Sequence, residues 1–175
     1  MRGPSQLPLW VIFVCWGNIC RSPMAEQVAR AWAERAGLDQ TLVVFDSAGV
    51  SDEEQGHRID QRAARVLDEH GYDAGSHRAR EISAADLLTA DLVIGVEQRH
   101  LDMMRHLVPG ADNLRLLSGF DPTSPPGSGL PDPWWGGVDG FESTLAAVEA
   151  AMPGLIRELQ AMVRSAATLA RGSGS

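Results

Sequence analysis

Residues 15–22 of the chain read Cys15-Trp16-Gly17-Asn18-Ile19-Cys20-Arg21-Ser22. A short apolar run, residues 9–14, precedes this stretch, and residues 23–36 repeat apolar side chains at helical spacing. Apolar runs of that length are typical of strands buried on both faces of a parallel sheet. The stretch is therefore predicted to join a first strand to a first helix, with Ser22 as the helix cap and Pro23 in the first turn.

The same stretch carries the groups that phosphate chemistry needs. Cys15 supplies a thiol, and Gly17 eases a bend that lets successive backbone N–H groups point at one centre. The planar guanidinium of Arg21 can bind two phosphate oxygens, while the helix N-terminus adds partial positive charge. These fields also favour the thiolate form of a cysteine. We therefore predict a phosphate site in which Cys15 is the nucleophile.

Two other interpretations of the stretch exist. Free cysteines are usually inert core residues, which is the alternative for Cys15 and Cys20. A nucleotide-binding P-loop is also built from a strand, a loop and a helix, but it requires the pattern G-x-x-x-x-G-K-S/T, which no segment of the chain contains. The complete Cys-x5-Arg-Ser pattern after a strand favours the catalytic interpretation.

The chain resembles the low-molecular-weight protein tyrosine phosphatases, whose signature after the first strand has the form C-x-G-N-I/T-C-R-S. A second family motif, Asp-Pro followed by two aromatic residues, recurs at residues 132–135. The resemblance covers residues from about 10 to about 163. It implies hydrolysis of protein phosphotyrosine through a phosphocysteine on Cys15, with Arg21 binding phosphate and Asp132 acting as general acid and then as base. Without the first motif, Asp132-Pro133 would be an ordinary turn signal.

The resemblance implies further roles in the loop. The other loop residues expected to bind phosphate are Trp16, Gly17, Asn18, Ile19, Cys20 and Ser22. Ser47 and His77 match positions that form a hydrogen-bond network with Asn18 and Ser22, although a lone histidine is otherwise more often an exposed surface residue. Cys20 is expected to capture the oxidised nucleophile as a disulfide. No metal or organic cofactor is implied.

The expected pocket wall departs from the family pattern. Trp134 and Trp135 stand where relatives usually carry two tyrosines, and Trp16 stands where smaller residues are familiar. The alternative is that these tryptophans pack in the core. Glu53 lies in an acidic segment where the family often has an aromatic residue. These departures predict a deep, apolar-walled cleft that accepts phosphotyrosine, with Glu53 and Glu54 disfavouring acidic peptides.

Composition limits the classes of protein that the chain can belong to. Its 175 residues, 44% of them hydrophobic, suit one domain, expected over residues 1–165, with a disordered tail over residues 166–175. The net charge of −8 argues against nucleic-acid binding. The two cysteines cannot form a disulfide framework. The apolar run near the start is too short for a membrane span, and it lacks the small-residue cleavage site of a signal peptide. We expect a cytoplasmic monomer, while export without a signal peptide stays open.

Strand-like and helix-like segments alternate along the chain. The predicted strands cover residues 9–14, 41–45, 92–96 and 113–117, and the main predicted helices cover residues 23–36, 59–70, 83–88, 98–107 and 141–163. This order predicts an α/β fold with a single open, mostly parallel, four-stranded sheet and helices on both faces. Ligands bind such sheets beyond the carboxyl ends of the strands, where Cys15 is expected.

The sequence leaves rival functions for this fold. Arsenate reductases share the loop but need further cysteines downstream, and none follows Cys20. Protein-arginine phosphatases typically have threonine at the position of Ile19. A redox-sensing phosphopeptide-binding module is the non-enzymatic alternative, but it would not need both Arg21 and Asp132. We therefore expect an enzyme whose partners are phosphotyrosine-containing proteins.

Overall fold

The structure is a computed structural model and describes residues 7–172. Four strands alternate with five α-helices and two short 3-10 helices within that range. In chain order the elements are β1 (Leu9–Cys15), α1 (Arg21–Arg35), β2 (Val43–Gly49), α2 (Gln61–Glu69), α3 (Ala84–Thr89), β3 (Leu92–Gly95), α4 (Gln98–Leu107), β4 (Leu114–Leu116), the 3-10 helices Leu117–Phe120 and Pro133–Trp135, and α5 (Val138–Gly172).

The four strands form one parallel sheet in the order β2-β1-β3-β4. Side chains of β1 alternate between two apolar cores, because successive residues of a strand face opposite sides of the sheet. Val11 and Phe13 pack against α1, α2 and α5, whereas Ile12 and Val14 pack against α3 and α4. The predicted α/β class with an open parallel sheet and helices on both faces is confirmed. None of the helices within residues 7–172 is long and apolar enough to cross a membrane.

Several boundaries differ from their predicted positions. β2 continues past Phe45 to Gly49, because it pairs with β1 along its whole length even though Asp46 and Ser47 are polar. α5 begins before residue 141 and ends beyond residue 163. Residues 166–172, assigned above to a disordered tail, are helical, and their alanine-rich sequence favours continuation of α5. Residues 173–175 of that predicted tail lie outside the described part.

Cys15 lies at the carboxyl edge of the sheet. Cys15 is the last residue of β1 and pairs in register with Gly49 at the end of β2. A Cβ atom at Gly49 would lie 2.6 Å from the carbonyl oxygen of Trp16 and 3.1 Å from the backbone nitrogen of Asn18. The close approach of β2 to residues 15–22, called the Cys15 loop from this point, therefore requires glycine.

We predict that Gly49→Ala destabilises the fold by about 1–3 kcal/mol, because the added methyl group forces the Cys15 loop to shift. Urea unfolding measures the loss of stability. The inhibition constant of orthophosphate measures the accompanying fall in anion affinity. Gly119→Ala is the matched control, since a Cβ at Gly119 meets nothing within 4 Å. Equal stability and equal phosphate affinity of the two variants would show that β2 does not support the loop.

Candidate active site

Backbone carbonyl groups of the Cys15 loop point away from its centre. The carbonyl oxygen of Cys15 accepts from the Val50 N–H at 3.0 Å, and that of Trp16 accepts from the Ser51 N–H at 3.0 Å. The Ile19 carbonyl oxygen accepts from the backbone N–H of Asp60 at 2.8 Å. In a trans peptide the N–H points opposite to the C=O, so each outward carbonyl turns the following N–H inward. The loop can therefore surround an anion with N–H groups.

Asn18 gives the loop its sharp turn. It is the one non-glycine residue with positive φ, 61°, within residues 7–172, and asparagine tolerates this left-handed conformation better than most residues. Its carbonyl oxygen lies 2.6 Å from Nε2 of His77. Its buried side-chain amide donates to Ser22 Oγ at 2.9 Å and to Ser47 Oγ at 3.0 Å, and its Oδ1 accepts from the Arg80 N–H at 3.0 Å. The predicted meeting of Asn18 with Ser22, Ser47 and His77 is thus present in the geometry.

A buried carboxylate sets the direction of these hydrogen bonds. The Ser47 hydroxyl donates to Glu26 Oε2 at 2.6 Å, because a carboxylate only accepts. Ser47 then accepts one hydrogen of the Asn18 amide, and Ser22 accepts the other. The Ser22 hydroxyl hydrogen is then shared between two acceptors, Cys15 Sγ at 3.0 Å and the Ala48 carbonyl oxygen at 3.3 Å. Sequence reasoning missed Glu26, whose only signal was an acidic residue on the buried face of α1.

Ser22 therefore does not cap α1 as predicted. Cys20 occupies the N-cap position and makes no side-chain capping bond. Burial, and after it the negative charge of Asp60, raises the pKa of the Cys20 thiol far above its ordinary value. Cys20 is thus a thiol at neutral pH. Of the two cysteines, Cys15 is the one that contacts a hydroxyl donor and can act as the nucleophile.

Arg21 extends from the first residue of α1 into the cleft and is only 1% exposed. Its Nη1 donates to Glu97 and to the Leu130 carbonyl oxygen, the latter at 2.7 Å, while Nη2 lies 3.4 Å from Asp132 Oδ2. Burial opposes ionisation of Glu97, but the hydrogen bond and charge of Arg21 outweigh it and lower the pKa of Glu97. Glu97, which sequence reasoning missed, neutralises and orients Arg21. Its position just after β3 at the carboxyl edge was the available signal.

The cleft above the loop has a volume of about 400 Å³. Its lining includes Cys15, Trp16, Arg21, Glu53, Asp132 and Trp134. Trp134 is 40% exposed and Trp135, which also lines the cleft, is 89% exposed, so neither packs in the core. Trp135 projects from the rim, where it covers little of the cleft floor. The Trp16 Nε1 donates to Glu53 Oε2 at 3.3 Å.

Arg62 ties the segment that carries Asp132 to the rest of the site. Its Nη1 donates to the carbonyl oxygens of Trp134 and Gly136 at 3.2 and 3.4 Å, and its Nη2 lies 3.0 Å from Asp60 Oδ2. The Asp60 backbone N–H in turn donates to the Cys15 loop at Ile19. These bonds fix the distance between the two predicted motifs. The sequence offered no signal for this role of Arg62.

His100 lies behind the Arg21–Glu97 pair and is fully buried. Its Nε2 is 3.8 Å from Glu97 Oε1. Burial, and then the positive charge of Arg21, lower the pKa of His100 from 6.5 to about 4. His100 is therefore neutral in the folded protein at neutral pH, and its ring fills space next to Arg21.

We predict an acid-labile fold as a result. Between pH 6.5 and about 4 the unfolded chain binds a proton at His100 that the folded chain excludes, so stability falls as the pH drops through this window. The shift corresponds to a loss of about 3 kcal/mol. Urea unfolding at several pH values measures it in wild type and in His100→Gln, which should lose this part of the slope. His106→Gln, at an exposed position on the same helix, is the control. If the free energy of unfolding depends on pH in the same way in all three proteins, His100 is not the source of the acid lability.

A nucleophilic cysteine, a loop of inward N–H groups and a buried arginine at the carboxyl edge of a parallel sheet define a cysteine-dependent phosphatase. Comparison with known proteins agrees with this class. The family model described as low molecular weight phosphotyrosine protein phosphatase matches residues 10–165. The chain belongs to this family, which confirms the resemblance seen in the sequence.

Similar proteins support the same assignment. A low molecular weight protein-tyrosine-phosphatase from Streptomyces coelicolor is 44% identical over 161 residues, which cover 90% of this chain and 97% of that protein. A solved structure of a protein tyrosine phosphatase from Entamoeba histolytica superposes with a TM-score of 0.82 at 27% identity, covering 87% of this chain and 97% of the other. The YwlE arginine phosphatase superposes with a TM-score of 0.76 at 28% identity, covering 87% of this chain and 96% of its own.

Proposed function

We propose that the chain hydrolyses phosphotyrosine in proteins through a phosphocysteine on Cys15. The observation that carries this proposal is the convergence of Cys15, Arg21 and Asp132 on one cleft. In the first step the thiolate attacks phosphorus, an S–P bond forms, and the bond to the leaving oxygen breaks. Arg21 and the loop N–H groups stabilise the charge on the phosphoryl oxygens, and Asp132 gives its proton to the leaving oxygen.

In the second step water attacks the phosphocysteine. The Asp132 carboxylate takes a proton from that water, a new P–O bond forms, and the S–P bond breaks to release phosphate. The Ser22 hydroxyl, whose oxygen lies 3.0 Å from Cys15 Sγ, donates to the departing thiolate and stabilises it. Every atom is accounted for with water as the sole second reactant, so the mechanism uses no metal or organic cofactor.

The rival functions of the fold have weaker support. The YwlE comparison means that the fold alone does not separate tyrosine from arginine phosphatases. Identity of 44% to a protein-tyrosine-phosphatase, together with Ile19, favours phosphotyrosine. The chain has no cysteine after Cys20 to relay a disulfide, which disfavours arsenate reduction. A cytoplasmic location, a monomeric state and the redox role of Cys20 stay predictions.

Turnover of three substrates by the purified protein tests the proposal. Phosphotyrosine peptides should be hydrolysed at least about tenfold faster, by kcat/KM, than the corresponding phosphoarginine peptides, and arsenate should not be reduced. A preference for phosphoarginine would replace the proposed substrate while leaving the chemistry intact. Arsenate-dependent oxidation of a thiol reductant would contradict the proposal that the chain is a hydrolase.

We predict that Asp132→Asn lowers the rate constant of phenol release by about 10²–10³ for phenyl phosphate, whose leaving group needs a proton, and far less for aryl phosphates with acidic phenols. A leaving-group series measured by pre-steady-state phenol release provides the test. Asp121→Asn, another aspartate of the same long loop, is the control and should behave as wild type. An equal loss across the series would mean that Asp132 only holds Arg21 in place.

A further inference from the structure

Arg99 stands at the mouth of the cleft, outside the groups that perform the chemistry. It is the second residue of α4, and its guanidinium carbon lies 5.0 Å from the centroid of the Trp16 ring. Its Nη2 donates to Glu97 Oε1 at 3.1 Å. The side chain lines the cleft yet stays 50% exposed. One edge of this guanidinium is therefore held by the protein, and the rest faces solvent at the entrance.

This arrangement prepares Arg99 to bind an anion. Stacking on an indole and a bond to Glu97 both restrict the side chain, so little conformational entropy remains to be lost when a ligand binds. An arginine has five N–H donors in a planar fork, and one bond to Glu97 leaves others for a carboxylate. Arg21, deeper in the cleft, already serves the phosphate.

The mouth of the cleft also carries negative charge. The Trp16 indole that supports Arg99 through its face also donates from Nε1 to Glu53 Oε2 at 3.3 Å. Glu54, beside it, lies 2.6 Å from Nδ1 of His57. The mouth thus carries both charges, with Arg99 over the face of the Trp16 ring and Glu53 at its Nε1 edge. This qualifies the expectation that the mouth simply repels acidic peptides.

We propose that Arg99 is a specificity-determining residue that binds the carboxylate of an acidic residue flanking the phosphotyrosine. The inference rests on the proposed function, since it concerns the peptide around that phosphotyrosine. The flanking residue on the other side of the phosphotyrosine faces Glu53 and is preferably neutral or basic. The charges at the mouth therefore orient the peptide across Trp16, while the chemistry below remains the same.

Matched peptides test the inference. Each carries one phosphotyrosine and either glutamate or glutamine at a single flanking position, scanned on both sides. On one side, wild type should prefer glutamate about fivefold in kcat/KM, the upper range for an exposed charge pair. Arg99→Gln should reduce this ratio to about 1, and Arg99→Lys should keep part of it because the charge remains. The wild-type preference should also weaken in 1 M salt.

The ratio of kcat/KM for the glutamate and glutamine peptides distinguishes binding of the flanking carboxylate by Arg99 from mere support of Glu97. If Arg99 only buttresses Glu97 and Arg21, Arg99→Gln lowers kcat for every peptide and leaves the glutamate-to-glutamine ratio unchanged, which would overturn the inference. Glu53→Gln is the matched control and should alter preference on the opposite side alone. Efficient turnover of all peptides without any charge preference would also reject the role of Arg99. Absence of turnover on every phosphotyrosine peptide would instead reject the proposed function.

Discussion

Asn18 turns the backbone into the left-handed conformation while its side-chain amide binds two serine hydroxyls and its Oδ1 accepts a backbone N–H. A strained, buried turn of this kind persists only where its surroundings determine it fully. The position of the Ser22 hydroxyl and the outward turn of the Asn18 carbonyl follow from this residue and its partners, while backbone N–H groups of Val50, Ser51 and Asp60 hold the other carbonyls outward. The loop is thus organised before any phosphate arrives, which removes a reorganisation cost from the reaction.

Charge in the site is local and balanced. A chain with a net charge of −8 does not attract phosphate as a whole, so attraction must come from the loop N–H groups and Arg21. Arg21 is almost completely buried, and a buried cation is costly unless it is paired. Glu97 supplies that pair, and neutral His100 fills the adjacent space. The guanidinium is therefore held in one orientation toward the incoming phosphoryl group.

Sequence reasoning predicted the parts of the structure that depend on local pattern. The strand before Cys15, the order of the elements and the parallel sheet follow from apolar periodicity, and the two motifs identify the residues at the cleft. Glu26, Glu97 and Arg62 escaped because each acts through contacts across long stretches of chain; Arg21 and Glu97, for example, are 76 residues apart. The full extent of β2 was missed because Asp46 and Ser47 interrupt its apolar pattern, although pairing with β1 carries the strand to Gly49.

The proposed mechanism depends on covalent phosphorylation of Cys15. Rapid-quench mass spectrometry during turnover of an aryl phosphate detects this step, because a denaturing quench at alkaline pH traps the intermediate before water attacks it. The account predicts a mass increase of one phosphoryl group on the peptide that contains Cys15, appearing in a burst together with the released phenol. Hydrolysis with phenol release and no modified Cys15 at any time point, under conditions that preserve a phosphocysteine standard, would contradict the account.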